Sequence, residues 1–90
     1  MSWKIRFDKK AKKEFEKLDK AAQNQIDKFI LKLREMKNPR LTGDALKGNF
    51  HSLWRYRIGS YRLVCKIEDN IVTIIVLRIG HRKEVYKNNI

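Results

Sequence analysis

A chain of 90 residues supports one hydrophobic core and excludes a second, because at this size folding buries only about 60–65% of the surface that the unfolded chain exposes. With 42% apolar residues and nine aromatics it is no disordered tail, and residues 1–90 are expected to form a single domain. Lys and Arg number 22 against 10 Asp and Glu, a formal charge of +12, which favours polyanionic partners: nucleic acid first, an acidic protein second. The longest apolar run, Ile74 to Leu77, is far below the roughly 20 residues needed to cross a bilayer, and no leader pattern precedes the first strand, so the expectation is a cytoplasmic protein without membrane contact. A single cysteine, Cys65, leaves stability to packing rather than to an internal disulfide, and no spacing suggests a metal or a cofactor.

Trp3, Ile5 and Phe7 alternate with Lys4 and Arg6, the period-two pattern of a strand with one buried face. Asp8 can cap a short helix in which Ala11, Phe15 and Leu18 share a face. Asp19 can cap a second helix whose stripe, Ala22, Ile26, Phe29, Ile30, Leu33 and Met36, spans about four turns before Asn38-Pro39 ends it. A connection this short predicts an antiparallel helical hairpin. Pro39 to Asn49 has turn residues and no apolar period, and reads as a loop pinned by Leu46. Beyond it Leu53 to Ile58, Tyr61 to Glu68 and Ile71 to Ile79 read as strands joined by tight hairpins at Gly59-Ser60 and Asp69-Asn70. The last is apolar on both alternating sets and is expected to be central and covered on both sides. The class expected is α+β: an N-terminal strand, a two-helix hairpin, then three or four antiparallel strands in a twisted sheet with the helices on one face.

The charge differs in kind along the chain. Residues 1–45 hold ten Lys and three Arg, whereas residues 46–90 hold five Arg, all in strands or at strand ends. On the strand at residues 53–58, Arg55 and Arg57 share one face while Trp54, Tyr56 and Ile58 share the other. Arg62 begins the next strand, and Arg78, His81 and Arg82 lie at the end of the last. If these ends converge they form a basic hollow, for which Arg is suited because its planar fork pairs bidentately with phosphate and stacks on a base. Lys47 and Lys83 add to this charge, and Tyr86 supplies a ring at its rim. The competing reading takes Arg62 and Arg78 as ion-pair partners of Glu68 or Glu84, and Lys9, Lys10, Lys12 and Lys13 as a solvated helix face. Trp3, Trp54 and Phe29 read as core, Cys65 as a small buried hydrophobe and His51 as uninvolved.

The element order, together with Arg55-Tyr56-Arg57-Ile58-Gly59-Ser60-Tyr61-Arg62-Leu63-Val64 and Gly80-His81-Arg82-Lys83-Glu84-Val85-Tyr86, resembles the RelE branch of the RelE/ParE toxin superfamily over nearly the whole chain. The resemblance implies the toxin of a type II toxin–antitoxin pair: a metal-independent ribonuclease, an mRNA interferase, that enters the ribosomal A site beside the 16S rRNA. There it would cut the message by attack of the RNA 2′-hydroxyl, leaving a 2′,3′-cyclic phosphate. It also implies an acidic, RelB-like antitoxin that binds the otherwise monomeric toxin as a hetero-oligomer. Carried over by residue, the site falls on Arg55, Arg57, Arg62, Arg82 and Tyr86, with Arg62 and Arg55 facing the oxyanion, Arg82 assisting the leaving group and Tyr86 orienting the base. Lys47, Arg78 and Lys83 are expected to contact RNA. Lysines occupy the positions of Arg55 and Arg57 in the familiar pattern. An arginine with a pKa above about 12 is a poor base, so His81, with an ordinary pKa of about 6.5, is assigned a share of that role. The rivals are a ParE-like inhibitor of DNA gyrase and a non-catalytic RNA-binding module.

Overall fold

The computed structural model describes residues 2–46 and 52–81. β1 (Lys4–Phe7) leads into α1 (Lys9–Glu16) and α2 (Lys20–Arg34); β2 (Asp44–Ala45), β3 (Trp54–Ile58), β4 (Tyr61–Glu68) and β5 (Thr73–His81) follow. The five strands form one sheet in the order β1-β5-β4-β3-β2, so β4 is its middle strand and β5 is flanked on both sides. β2 to β5 are antiparallel to their neighbours, while β1 pairs with β5 in parallel, with Lys4 opposite Thr73 and Phe7 opposite Val76. The sheet is therefore mixed.

Both helices begin as expected. The Asp8 carboxylate accepts from Lys10 N–H at 3.4 Å and that of Asp19 from Ala22 N–H at 2.8 Å, satisfying donors that the first turn leaves open. Their apolar stripes cover one face of the sheet: Ala11, Ile26 and Leu33 join Trp3, Tyr56, Ile58, Leu63, Cys65, Ile74, Val76 and Ile79 in a single buried cluster. Gln23 closes the helical connection by donating from Nε2 to the Phe15 carbonyl at 3.0 Å. Tyr56, with no exposed surface, donates its hydroxyl to the Pro39 carbonyl at 2.6 Å and packs on Phe29 with ring centroids 5.3 Å apart. Burial pushes both the Tyr56 phenol and the Cys65 thiol well up, so each stays neutral in the core.

Four expectations are corrected. The second helix ends at Arg34 rather than at Asn38-Pro39, and Met36 follows outside it in a turn closed onto the Leu33 carbonyl. The segment after Pro39 is more than a loop, holding a 3-10 turn at Pro39–Leu41 and the short strand β2. The last connection is no two-residue hairpin: Asp69–Ile71 makes a 3-10 turn, Val72 follows at φ +49°, and β5 starts only at Thr73. A bidentate pair between Arg40 and Asp69, both contacts at 2.9 Å, ties that turn to the one at Pro39. Finally, β5 is covered unequally: Ile74, Val76 and Ile79 are buried against the helices, whereas on the other alternating set Thr73 is buried but Ile75 and Leu77 are only partly so. None of the described helices is long and apolar enough to cross a membrane.

Candidate active site

Alternation of side chains along paired strands sorts the predicted cations. Tyr56, Leu63 and Ile79 form a row of cross-strand partners in the helix-covered core. The rows on either side of it along the strands therefore face away from the helices. One runs Asp44, Arg55, Val64, Arg78; the other runs Arg57, Arg62, Gly80. Arg55, Arg57 and Arg62, three of the expected catalytic positions, thus gather on one face at adjacent points of β3 and β4.

That face holds an anion that sequence reasoning missed. Asp44 stands directly opposite Arg55, and its carboxylate accepts from Arg55 Nε at 3.3 Å and, more closely, from Arg55 Nη2. Arg57 Nη2 lies 4.0 Å from the same carboxylate. β2 is only two residues long, so its placement needs local support. Trp54 Nε1 donates to the Thr42 carbonyl at 2.8 Å. Gly43, at φ +81°, lies so close to β3 that a Cβ would sit 2.5 Å from the Arg55 carbonyl oxygen and 2.6 Å from Trp54 Nε1. The Arg55 guanidinium, together with the charges of Arg57 and Arg62, holds the Asp44 carboxyl below the usual carboxylate range against the opposing effect of burial. A signal existed in the chain: Asp44 is the sole acidic residue between Glu35 and Glu68.

Arg62 is the deepest of the cations, with 6% of its surface exposed. Its Nη1 donates to the Tyr61 carbonyl at 3.1 Å and more distantly to that of Gly59 at 3.4 Å, while its buried Nε has no partner among the described residues. Of the two carboxylates expected to pair with it, Glu68 binds Lys66 at 3.1 Å and Glu84 lies outside the described residues. The guanidinium is thus held by backbone carbonyls rather than by a carboxylate among the described residues.

The remaining expectations fare unevenly. Arg78 is committed to Glu14 of α1, with Nη2 to Oε2 at 3.1 Å, and not to Glu68. No local pattern could have revealed a partner 64 positions away. His81 lies opposite Tyr61, their ring centroids 6.0 Å apart and edge to face, in the row that continues Ile58 on the helix side of the sheet. The register therefore sets His81 on the other face from Arg57 and Arg62, and the strand alternation that the His81 assignment overlooked is the reason. A groove of about 500 Å³ opens there between Lys17, Leu18 and the Tyr61–His81 pair. Lys47, Arg82, Lys83, Glu84 and Tyr86 lie outside the described residues. The described residues contain no cluster of three or more His, Cys, Asp or Glu side chains that could hold a metal.

The arrangement is a compact cationic face with its own carboxylate: exposed Arg57 and buried Arg62 lie beside Arg55, which is locked to Asp44 at the edge. A small α+β domain carrying such a face defines the class, and comparison with known proteins supplies the family. A sequence profile described as the ParE toxin of a type II toxin–antitoxin system, parDE, matches residues 5–86. The mRNA interferase toxin RelE of Escherichia coli is 31% identical over 90 residues, covering 96% of this chain and 92% of its own. Toxin RelG of Mycobacterium tuberculosis is 26% identical over 87 residues, covering 97% and 99%. Among solved structures, the toxin–antitoxin complex RelBE2 of Mycobacterium tuberculosis superposes with a TM-score of 0.82 at 26% identity, over 91% of this chain and 100% of that one. A mutant of the Escherichia coli toxin RelE in the free state superposes with a TM-score of 0.77 at 30% identity, over 97% and 93%. The chain belongs to the ParE toxin family within the RelE/ParE superfamily, the toxins of type II toxin–antitoxin systems.

Proposed function

We propose that this toxin is a RelE-type mRNA interferase that cuts message in the ribosomal A site. The observation that carries the reading is the convergence of Arg57 and Arg62 on one sheet face beside the Arg55–Asp44 pair. Relatives that carry the name mRNA interferase support it.

The chemistry follows from what such a face can do. RNA carries its own nucleophile, so the protein must remove the 2′-hydroxyl proton, stabilise the crowded phosphorane and protonate the leaving 5′-oxygen. As the new bond from the 2′-oxygen to phosphorus forms, its proton passes to Asp44, the carboxylate in contact with the arginines; Arg55 orients that carboxylate. Negative charge on the non-bridging oxygens falls between Arg57 and Arg62. The bond to the 5′-oxygen then breaks and the leaving oxygen takes a proton from water, while Arg82 and Tyr86 keep the roles that family resemblance implies, assisting the leaving group and stacking on the base. No step calls on a metal. Lys47 and Lys83 add sequence-independent attraction to the backbone, whereas Arg78 is withdrawn into its pair with Glu14. The site of action is the cytoplasm, and an acidic RelB-like antitoxin neutralises the toxin by covering its charge, as complexes of RelE with RelB among the structural relatives suggest.

Primer extension on message from cells expressing the chain tests the reading. Cleavage within codons and 2′,3′-cyclic phosphate ends are expected. The profile that matches is named for ParE, which favours one second reading, inhibition of DNA gyrase. Intact message together with trapped double-strand DNA breaks would select it.

A further inference from the structure

β1 accompanies β5 only to Phe7, opposite Val76, with one further bond from Asp8 N–H to the Val76 carbonyl at 2.9 Å. Past that point α1, rather than a strand, lies along this edge of β5. The Glu14 carboxylate takes the strand's place. Ile79 N–H donates to its Oε1 at 2.9 Å, Arg78 Nε lies 3.3 and 3.2 Å from its two oxygens, and Arg78 Nη2 is 3.1 Å from Oε2. The pair is largely buried, with side-chain exposures of 17% for Arg78 and 24% for Glu14.

This stretch of β5 needs such a hold. The ladder between β4 and β5 is irregular at Val64/Cys65, where Val64 faces Arg78 but Cys65 faces Val76, so Leu77 is an extra residue. Beyond it the register rests on four pairs, ending with Gly80 opposite Arg62 and His81 opposite Tyr61. A slip of one residue would set a side chain, Ile79 or His81, against Arg62 in place of glycine, and would turn every later side chain to the wrong face.

We propose that Glu14 is a positioning residue: by gripping Ile79 N–H and Arg78 together it pins the register of β5 after the bulge and keeps Gly80 beside Arg62. Its consequence for catalysis rests on the function proposed above; the pin itself does not. Glu14→Ala and Glu14→Gln, made in the full chain, separate the two. Amide exchange read by NMR is expected to quicken about tenfold or more at Ile79, Gly80 and His81 in Glu14→Ala, and by more than at the amides of β3. In the RNA cleavage assay kcat falls about tenfold or more with KM within about twofold, the pattern of a lost transition-state interaction. Glu14→Gln, which keeps an oxygen for Ile79 N–H, restores most of both. Unchanged exchange at those three amides in Glu14→Ala overturns the pin, and quickened exchange with an unaltered kcat overturns the positioning role. A wild-type chain that cuts no RNA would refute the proposed function and leave the exchange measurement to decide the pin alone.

Discussion

Asp44 and Arg55 face one another across the two-residue ladder between β2 and β3, and their side chains close into an ion pair on the sheet face that carries Arg57 and Arg62. The pair lowers the pKa of the carboxylate that the proposed mechanism uses as proton acceptor.

The first consequence is a pH profile. With Asp44 as base, the acid limb of the cleavage rate falls below the usual carboxylate range, and activity persists at pH 5. A histidine base would instead place that limb near pH ~6.5. Asp44→Asn is expected to lower the rate by about 10²–10⁴-fold and His81→Gln by less than about threefold. An acid limb near the histidine value, or the reverse order of the two variants, would return the base role to His81.

Arg62 is expected to be the cation least tolerant of change. Its guanidinium is buried and held by the Tyr61 carbonyl, so Arg62→Lys loses the fork that meets phosphate. Arg62→Ala and Arg62→Lys should each reduce kcat by about 10²–10³-fold, the usual effect of removing one oxyanion donor. Growth of cells expressing each variant provides a first measurement: continued arrest of growth by Arg62→Ala would remove it from the mechanism.

Tyr56→Phe isolates one buried hydrogen bond. The Pro39 carbonyl loses its donor at a fully buried position, which costs about 1–3 kcal/mol. Urea unfolding at neutral pH should show a lower midpoint with an unchanged slope, and no change in midpoint would mean that water replaces the hydroxyl.

Gly43→Ala combines a backbone cost with a clash. The left-handed φ alone disfavours alanine by about 1–2 kcal/mol, and the new Cβ meets the Arg55 carbonyl oxygen, which cannot move without shifting β3. Stability and cleavage should therefore fall together, since β2 carries Asp44. A variant as stable and active as the wild type would show that β2 has no part in holding the site.

Acid should weaken the fold through the same kind of group. Asp44 and Asp69 both have folded pKa values lowered, first by hydrogen bonds from Arg55 and Arg40 respectively. Each adds stability that is complete above its unfolded pKa and is lost as pH falls through the folded one. Asp44→Asn and Asp69→Asn should flatten the decline of the thermal midpoint below about pH 4. A decline as steep as in the wild type would assign acid sensitivity to other carboxylates.

What could be read from the sequence was what repeats locally. Ile5 and Phe7 declared β1, Ile26 and Leu33 the buried stripe of α2, and Gly59-Ser60 the turn into β4, because period and turn chemistry are properties of neighbouring residues. The grouping of Arg55, Arg57 and Arg62 was legible for the same reason. β2 was not, since two residues carry no period and owe their place to Trp54 of β3 holding Thr42 and to Gly43 lying close against β3. Val72 gave no warning of its left-handed backbone, which favours glycine or asparagine. Glu14 looked like one acid in a lysine-rich helix, and its partner lies at the far end of the chain. The face on which His81 falls was not legible, because the extra residue at Leu77 shifts the alternation of β5.

The parallel pairing of β1 with β5 also governs when the molecule can come into being. Lys4 leaves the ribosome long before Thr73, its neighbour in the sheet, has been synthesised. Until then Ile5 and Phe7 have no ladder to join, and Glu14 has nothing to hold. The sheet is thus completed from its C-terminal side, and the first strand synthesised is the last to find its partner.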